Sequence, residues 1–177
     1  SQSPMRHPAL IAAALALVAP AAAGETPWQE LAPGVKARLI SADTLRTDGT
    51  VLVGLEIDMP ANTKTYWRLP GETGIAAELD FTGSSGVGKG SVHWPYPTVD
   101  QTKGYLDYVY YGPTVLPIAV PVEGTEPEIA LTATLGICSE ICVPAIASFH
   151  LPLALGTADP GHSLRLTQAM AEVPLPW

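Results

Sequence analysis

The chain has 177 residues, 47% of them hydrophobic and 15% charged, and its 17 acidic against 9 basic residues give a net charge of −8. That length suits one domain with a core that needs no disulfide staples; the acidic balance excludes a nucleic-acid-binding surface, and the hydrophobic share excludes a disordered acidic chain. Two cysteines are too few for a four-thiolate zinc site or a disulfide-dense scaffold, so a single cysteine pair is left to explain.

Met5 to Ala23 read as a secretory leader. Arg6 and His7 give a positive start, Ala9 to Ala19 an uncharged run, and Ala21-Ala22-Ala23 small residues for signal peptidase. The run is shorter than the about 20 apolar residues a membrane span needs. Ser1 to Pro4 precede Met5 and read as extraneous to the leader. Its removal takes only Arg6 from the charge count and leaves −9 on residues 24–177. The remainder has no second hydrophobic run of spanning length, and both cysteines meet an oxidising compartment.

From there the pattern is mostly period two. Val35 to Ala42 is a predicted strand, joined through Thr47-Asp48-Gly49 to a second in which Val51, Val53, Leu55, Ile57 and Met59 share one face. Ile75–Phe81, Ser91–Trp94, Tyr105–Tyr111, Thr114–Val122, Glu128–Leu135 and Ala147–Leu155 follow, with Ile129, Leu131, Ala133 and Leu135 inward. Pro- and Gly-rich breaks separate them, as in an antiparallel sandwich or barrel. Gly83 to Gly90 reads as a flexible turn and not a phosphate loop, because Lys89 is not followed by Ser or Thr. Asp159-Pro160-Gly161-His162 reads as a linker, and Ser163 to Ala171 as a short helix capped by Ser163.

Cys138-Ser-Glu-Ile-Cys142 falls between two predicted strands, at the end of a hairpin. The spacing lets the sulfurs reach each other, and a loop this small gains little as a staple. Redox exchange, a structural bridge and metal binding all stay open on spacing alone. Thioredoxin-like domains use C-x-x-C before a helix, which does not fit here. The thiolates suit Cu(I), with His93, His150 or His162 as a further ligand. Glu140 lies between the cysteines, and Gly136 to Phe149 holds no Lys or Arg. That predicts a thiol with a raised pKa and little spontaneous reactivity.

Several segments in order resemble one family. Thr65-Tyr66-Trp67-Arg68-Leu69-Pro70-Gly71-Glu72-Thr73-Gly74, Val92-His93-Trp94-Pro95, Gly104-Tyr105, Val115-Leu116-Pro117 and Gly136 to Pro144 are similar to blocks of the periplasmic N-terminal (alpha) domain of the protein-disulfide reductase DsbD family, in its ScsB-like branch. The resemblance covers residues 30–155. It implies an all-β, immunoglobulin-like antiparallel β-sandwich over residues 24–157, with residues 158–177 a linker and C-terminal tail carrying the helix. It also implies a periplasmic thiol–disulfide exchange module, with no organic cofactor, that takes electrons from a membrane-embedded thiol reductase and hands them to thioredoxin-fold proteins. By the same resemblance Cys142 bonds to partners and Cys138 resolves. Tyr66, Trp67, Asp100, Tyr105 and Glu140 are expected to shield the pair or contact partners, with Tyr96 to Gly104 as the covering loop. A copper-tolerance module using Cys138 and Cys142 is the alternative, and a secreted structural or adhesion sandwich the third reading. The acidic and aromatic pattern of the DsbD covering loop is not reproduced, and the chain stops at Trp177. A stand-alone relative and a piece of a larger reductase both remain open.

Overall fold

The computed structural model describes residues 24–157 and 159–176; the leader expected over residues 1–23 lies outside them. Eleven strands and one helix appear among the described residues: β1 (Gln29–Ala32), β2 (Val35–Leu45), β3 (Thr50–Asp58), β4 (Lys64–Gly71), β5 (Glu78–Asp80), β6 (Ser91–Val92), β7 (Thr98–Asp100), β8 (Asp107–Tyr111), β9 (Thr114–Pro121), β10 (Glu128–Cys138), β11 (Cys142–Pro152) and α1 (Pro160–Ala171). One sheet runs β1-β2-β3-β9-β6. The other runs β11-β10-β4-β8-β7, with β5 also paired to β10. The two sheets pack face to face as an immunoglobulin-like sandwich, the fold class the sequence implies.

The core follows from strand alternation. Leu39 of β2, Val51, Val53, Leu55 and Ile57 of β3, and Leu116 and Ile118 of β9 meet Ile129, Leu131, Ala133 and Leu135 of β10 and Phe149 of β11, all buried. Successive side chains point to opposite faces, so each strand supplies one apolar row to this layer. The β2–β3 turn is fixed by Asp48, which accepts from the Thr50 N–H and hydroxyl, and by Gly49 at φ 82°. Pro144 and Pro152 are tolerated in β11 because it is an edge strand.

Four expectations change. β4 was not foreseen as a strand, nor were the short edge strands β1 and β7. Local pattern does not reveal these segments; their cross-strand partners β8 and β2 order them. The strand expected over Ile75–Phe81 shrinks to β5. The hairpin strands expected to end at Leu135 and begin at Ala147 run on to the cysteines, which form the last rung of the β10–β11 ladder. The helix starts at Pro160: Asp159, not Ser163, caps it, accepting from the N–H groups of Gly161 and His162.

The helix lies on the outer face of the β1-β2-β3-β9-β6 sheet. Its buried Leu166 sits against Gly54, where a Cβ would come within 2.6 Å of the leucine. Among the described residues no helix is long and apolar enough to cross a membrane.

Candidate functional site

Cys138 and Cys142 are joined by a disulfide, with their Cα atoms 4.0 Å apart. Ser139-Glu140-Ile141 closes the hairpin, with the Ser139 N–H donating to the Ile141 carbonyl. Ile137 and Leu135 face the core, so Cys138 and Gly136 face outward from the sheet. Cys138 is nevertheless buried, 1% exposed, while Cys142 is exposed. A small second cluster of Tyr66, Val109 and Cys138, flanked by Ile75, builds this cover on the outer face.

Tyr66 is the centre of that cluster. It is 2% exposed, and its hydroxyl lies 3.1 Å from Cys138 Sγ and 3.6 Å from Cys142 Sγ. Two glycines make room for its ring: a Cβ on Gly136 would lie 3.0 Å from one ring edge, and a Cβ on Gly74 would lie 2.7 Å from the other. Burial pushes the Tyr66 phenol above its ordinary range, with nearby Lys64 opposing. The hydroxyl keeps its proton at neutral pH and donates to sulfur.

Two chain segments close over the tyrosine. Gly71, at φ 94°, lets the backbone approach so closely that a Cβ would meet the Leu106 carbonyl at 2.3 Å. The Glu72 N–H donates to that carbonyl, and its carboxylate accepts from the Leu106 N–H at 2.6 Å. The Thr73 N–H and hydroxyl donate to the buried carboxylate of Asp107. Between these segments and Cys142 lies a crevice of about 50 Å³, lined also by Lys64, Asp100, Thr102, Lys103 and Tyr105. That volume is well below the about 300–1,000 Å³ of a small-molecule pocket.

The electrostatics differ from the local sequence. β4 pairs Lys64 directly with Cys138, so a cation reaches the site from 74 positions earlier in the chain. Asp100, at the end of β7, accepts from Lys64 Nζ at 2.5 Å. The Lys64 hydrogen bond, then those from Thr102, hold the Asp100 carboxyl well below the usual carboxylate range. Burial works to lower the Lys64 value, yet the bond that Lys64 donates to Asp100 leaves it raised. The ammonium is therefore committed to Asp100.

The expected residues separate. Tyr66 touches the sulfurs, and Asp100 and Tyr105 line the crevice. Trp67 points the other way, into the main core, edge-on to Tyr108 at 5.5 Å. Glu140 is exposed in the hairpin loop and does not line the crevice. His150 lies eight residues along β11 from Cys142, beside Glu128, and His162 belongs to α1. Lys64, Gly74 and Asp107 were not anticipated. For Lys64 a signal existed: it stands two residues before Tyr66, hence on the same face of a strand.

The family model described as thiol:disulfide interchange protein DsbD, N-terminal, matches residues 29–154. The chain belongs to this family. A solved structure, the N-terminal periplasmic domain of ScsB from Proteus mirabilis, is 28% identical, with a TM-score of 0.74 over 88% of this chain. The match spans 62% of that solved chain. Among curated proteins, none matches. This membership, with a cysteine pair at bonding distance, supports thiol–disulfide exchange as the chemistry of the domain and a periplasmic setting.

Proposed function

We propose that the domain carries reducing equivalents from a membrane-embedded thiol reductase to periplasmic thioredoxin-fold proteins, through Cys138 and Cys142, after export by its leader. The asymmetry of the pair is the main support: one sulfur is exposed and the other is buried under Tyr66.

In the oxidised state an incoming thiolate attacks Cys142 Sγ, the accessible sulfur. The Cys138–Cys142 bond breaks, and its electron pair leaves on Cys138. The Tyr66 hydroxyl, already 3.1 Å away, donates to that new thiolate. A second thiolate from the reductase then attacks the reductase's own sulfur in the mixed disulfide, and the electron pair leaves on Cys142. The reductase closes its own disulfide, and the domain takes up protons as a dithiol. Delivery reverses the sequence: the Cys142 thiolate attacks a partner disulfide, and Cys138 then attacks Cys142 and releases the partner reduced. Two electrons pass at each handover.

A Cys138→Ser variant, unable to resolve, should accumulate mixed disulfides through Cys142 with thioredoxin-fold proteins on non-reducing gels. Absence of any such species, or trapping by Cys142→Ser instead, would overturn the assignment.

A further inference from the structure

On the opposite face of the sandwich from the cysteines, two acceptor oxygens and an imidazole nitrogen converge on a position that no side chain among the described residues fills. Asp43, fully buried in β2 and held at φ 49°, receives the Ser41 hydroxyl on Oδ1 at 2.7 Å. The Ala154 N–H also acts on the carboxylate, yet Oδ2 has no hydrogen-bond partner among the described residues. His162, 3% exposed at the start of α1, faces Glu25 with Nε2 at 3.4 Å, and its Nδ1 is likewise unpartnered. A neutral ring that donates from Nε2 presents a lone pair at Nδ1. Buried polar atoms without partners are rare and costly.

Both atoms surround Gly24. A substituent in the Cβ position of Gly24 would stand 3.1 Å from Asp43 Oδ2, 3.3 Å from the Ser41 carbonyl oxygen and 3.5 Å from His162 Nδ1. The two oxygens are acceptors, and His162 Nδ1 accepts in the tautomer that donates from Nε2. A methyl group there satisfies none of them, whereas an ammonium group carries three N–H donors. Gly24 is itself buried, and its carbonyl is fixed by the Ser41 N–H at 2.8 Å. Gly24 also directly follows Ala21-Ala22-Ala23, the small residues that end the leader.

We propose that this pocket receives the α-ammonium group created when the leader is cut before Gly24. Substituents on a tetrahedral carbon stand about 120° apart in projection. Once the peptide bond to residue 23 is gone, one such rotation about the Cα–C bond carries the nitrogen to the measured position and leaves the carbonyl in place. Cleavage is a hydrolysis: water adds across the bond, the leader leaves as a carboxylate, and the new amine takes up a proton. Arg38, Glu25, Glu56 and Arg165 form the charged surround. Arg38 bonds both Glu25 and Glu56, and Arg165 lies 3.7 Å from Glu56, so neither guanidinium pairs with Asp43, and His162 is the titratable group whose charge acts on it.

The pairing predicts a pH window. The docked amine has its folded pKa raised above the unfolded value of about 7.7–8.0, so its contribution is complete below that value and is lost as pH rises through the raised one. Burial holds the Asp43 carboxyl above its ordinary range, with the Ser41 hydroxyl, the Ala154 N–H and His162 opposing, and a docked ammonium group opposes that burial further.

The test begins with the chain exported through its own leader and the mass of its N-terminal peptide. A start at Gly24 is expected, and any other start overturns the proposal. The α-amine of the folded protein should acylate about tenfold more slowly near neutral pH than that of an unstructured Gly-Glu-Thr peptide, one unit of pKa or more. A chain carrying one added Ala before Gly24, whose nitrogen is then an amide, should melt at lower temperature at pH 7. That difference should shrink at alkaline pH and vanish in Asp43→Asn. Equal amine reactivity in protein and peptide, or equal melting of the two chains, would overturn it. If Asp43→Asn does not fold, the peptide comparison still decides.

Discussion

Tyr66 does two jobs that a single substitution can separate. Its ring fills the slot between Gly74 and Gly136, and its hydroxyl reaches the sulfurs. Tyr66→Phe keeps the first and removes the second. Stability should fall by only about 1 kcal/mol in denaturant unfolding, the net worth of one hydrogen bond. The Cys138 thiolate loses a donor, so the pH midpoint of its alkylation in the reduced protein should rise. Asp100→Asn should move reactivity the other way. Lys64 then has no carboxylate to serve, and its charge acts on the neighbouring thiol; a single opposite charge lowers a pKa by about 1–3 units. The substitution should also cost about 2 kcal/mol, the upper part of the range for a hydrogen bond to a charged group. That cost depends on pH with a definite sign. The folded Asp100 value is depressed, so its contribution is present above the unfolded value of about 3.9 and lost as pH falls below it. The gap between wild type and variant should therefore close in acid and stay open at neutral pH. A gap that widened in acid would contradict the pairing. At this scale the sequence raised Tyr66 only through a block of residues read together, and it raised Trp67 with it, which the structure turns into the core. It missed Lys64 as a neighbour of the pair because that cation arrives by strand pairing.

The β10–β11 hairpin presents the pair as the last rung of an eleven-rung ladder, and so the bridge adds little rigidity where rigidity already exists. Closing so small a loop removes about 2 kcal/mol of unfolded-state entropy at 25 °C. Reduction should accordingly lower stability by about that amount and leave the fold intact, measurable as a shift of the denaturant midpoint at constant slope. Complete unfolding on reduction would mark the bridge as structural. The hairpin was legible as an element, since alternation along Glu128–Leu135 is regular. Its true length was not, because Gly136, Pro144 and the exposed Val143 break the apolar pattern at the end where the site is built. Edge strands β1 and β7 were illegible for a related reason: three or four residues carry too little periodicity, and only a partner strand orders them. The linker reading of residues 159–162 missed a capping sequence. Asp-Pro at a helix start is a local signal with a plain mechanism, and it was outweighed by the turn propensity of Pro and Gly.

Across the whole molecule, the two outer faces of the sandwich carry different work. The cysteines, Tyr66 and the covering segments occupy one, and α1 with the Gly24 pocket occupies the other. The separation makes stability and thiol chemistry independently adjustable. Leu166 is the anchor of the second face: it is 1% exposed and seated where Gly54 has no side chain, beside Ile40 and Val115. Leu166→Ala leaves a cavity that the sheet cannot fill, because glycine offers nothing to relax into it. A loss of about 2–5 kcal/mol is expected in thermal or denaturant unfolding. The same variant should alkylate its reduced cysteines with an unchanged pH midpoint, and it should trap partners as readily when combined with Cys138→Ser. Sites that share no neighbours contribute additively. A shifted alkylation midpoint in Leu166→Ala would show that the two faces are coupled through the core, which packs β3 and β9 from one sheet directly against β10, the strand that ends in Cys138.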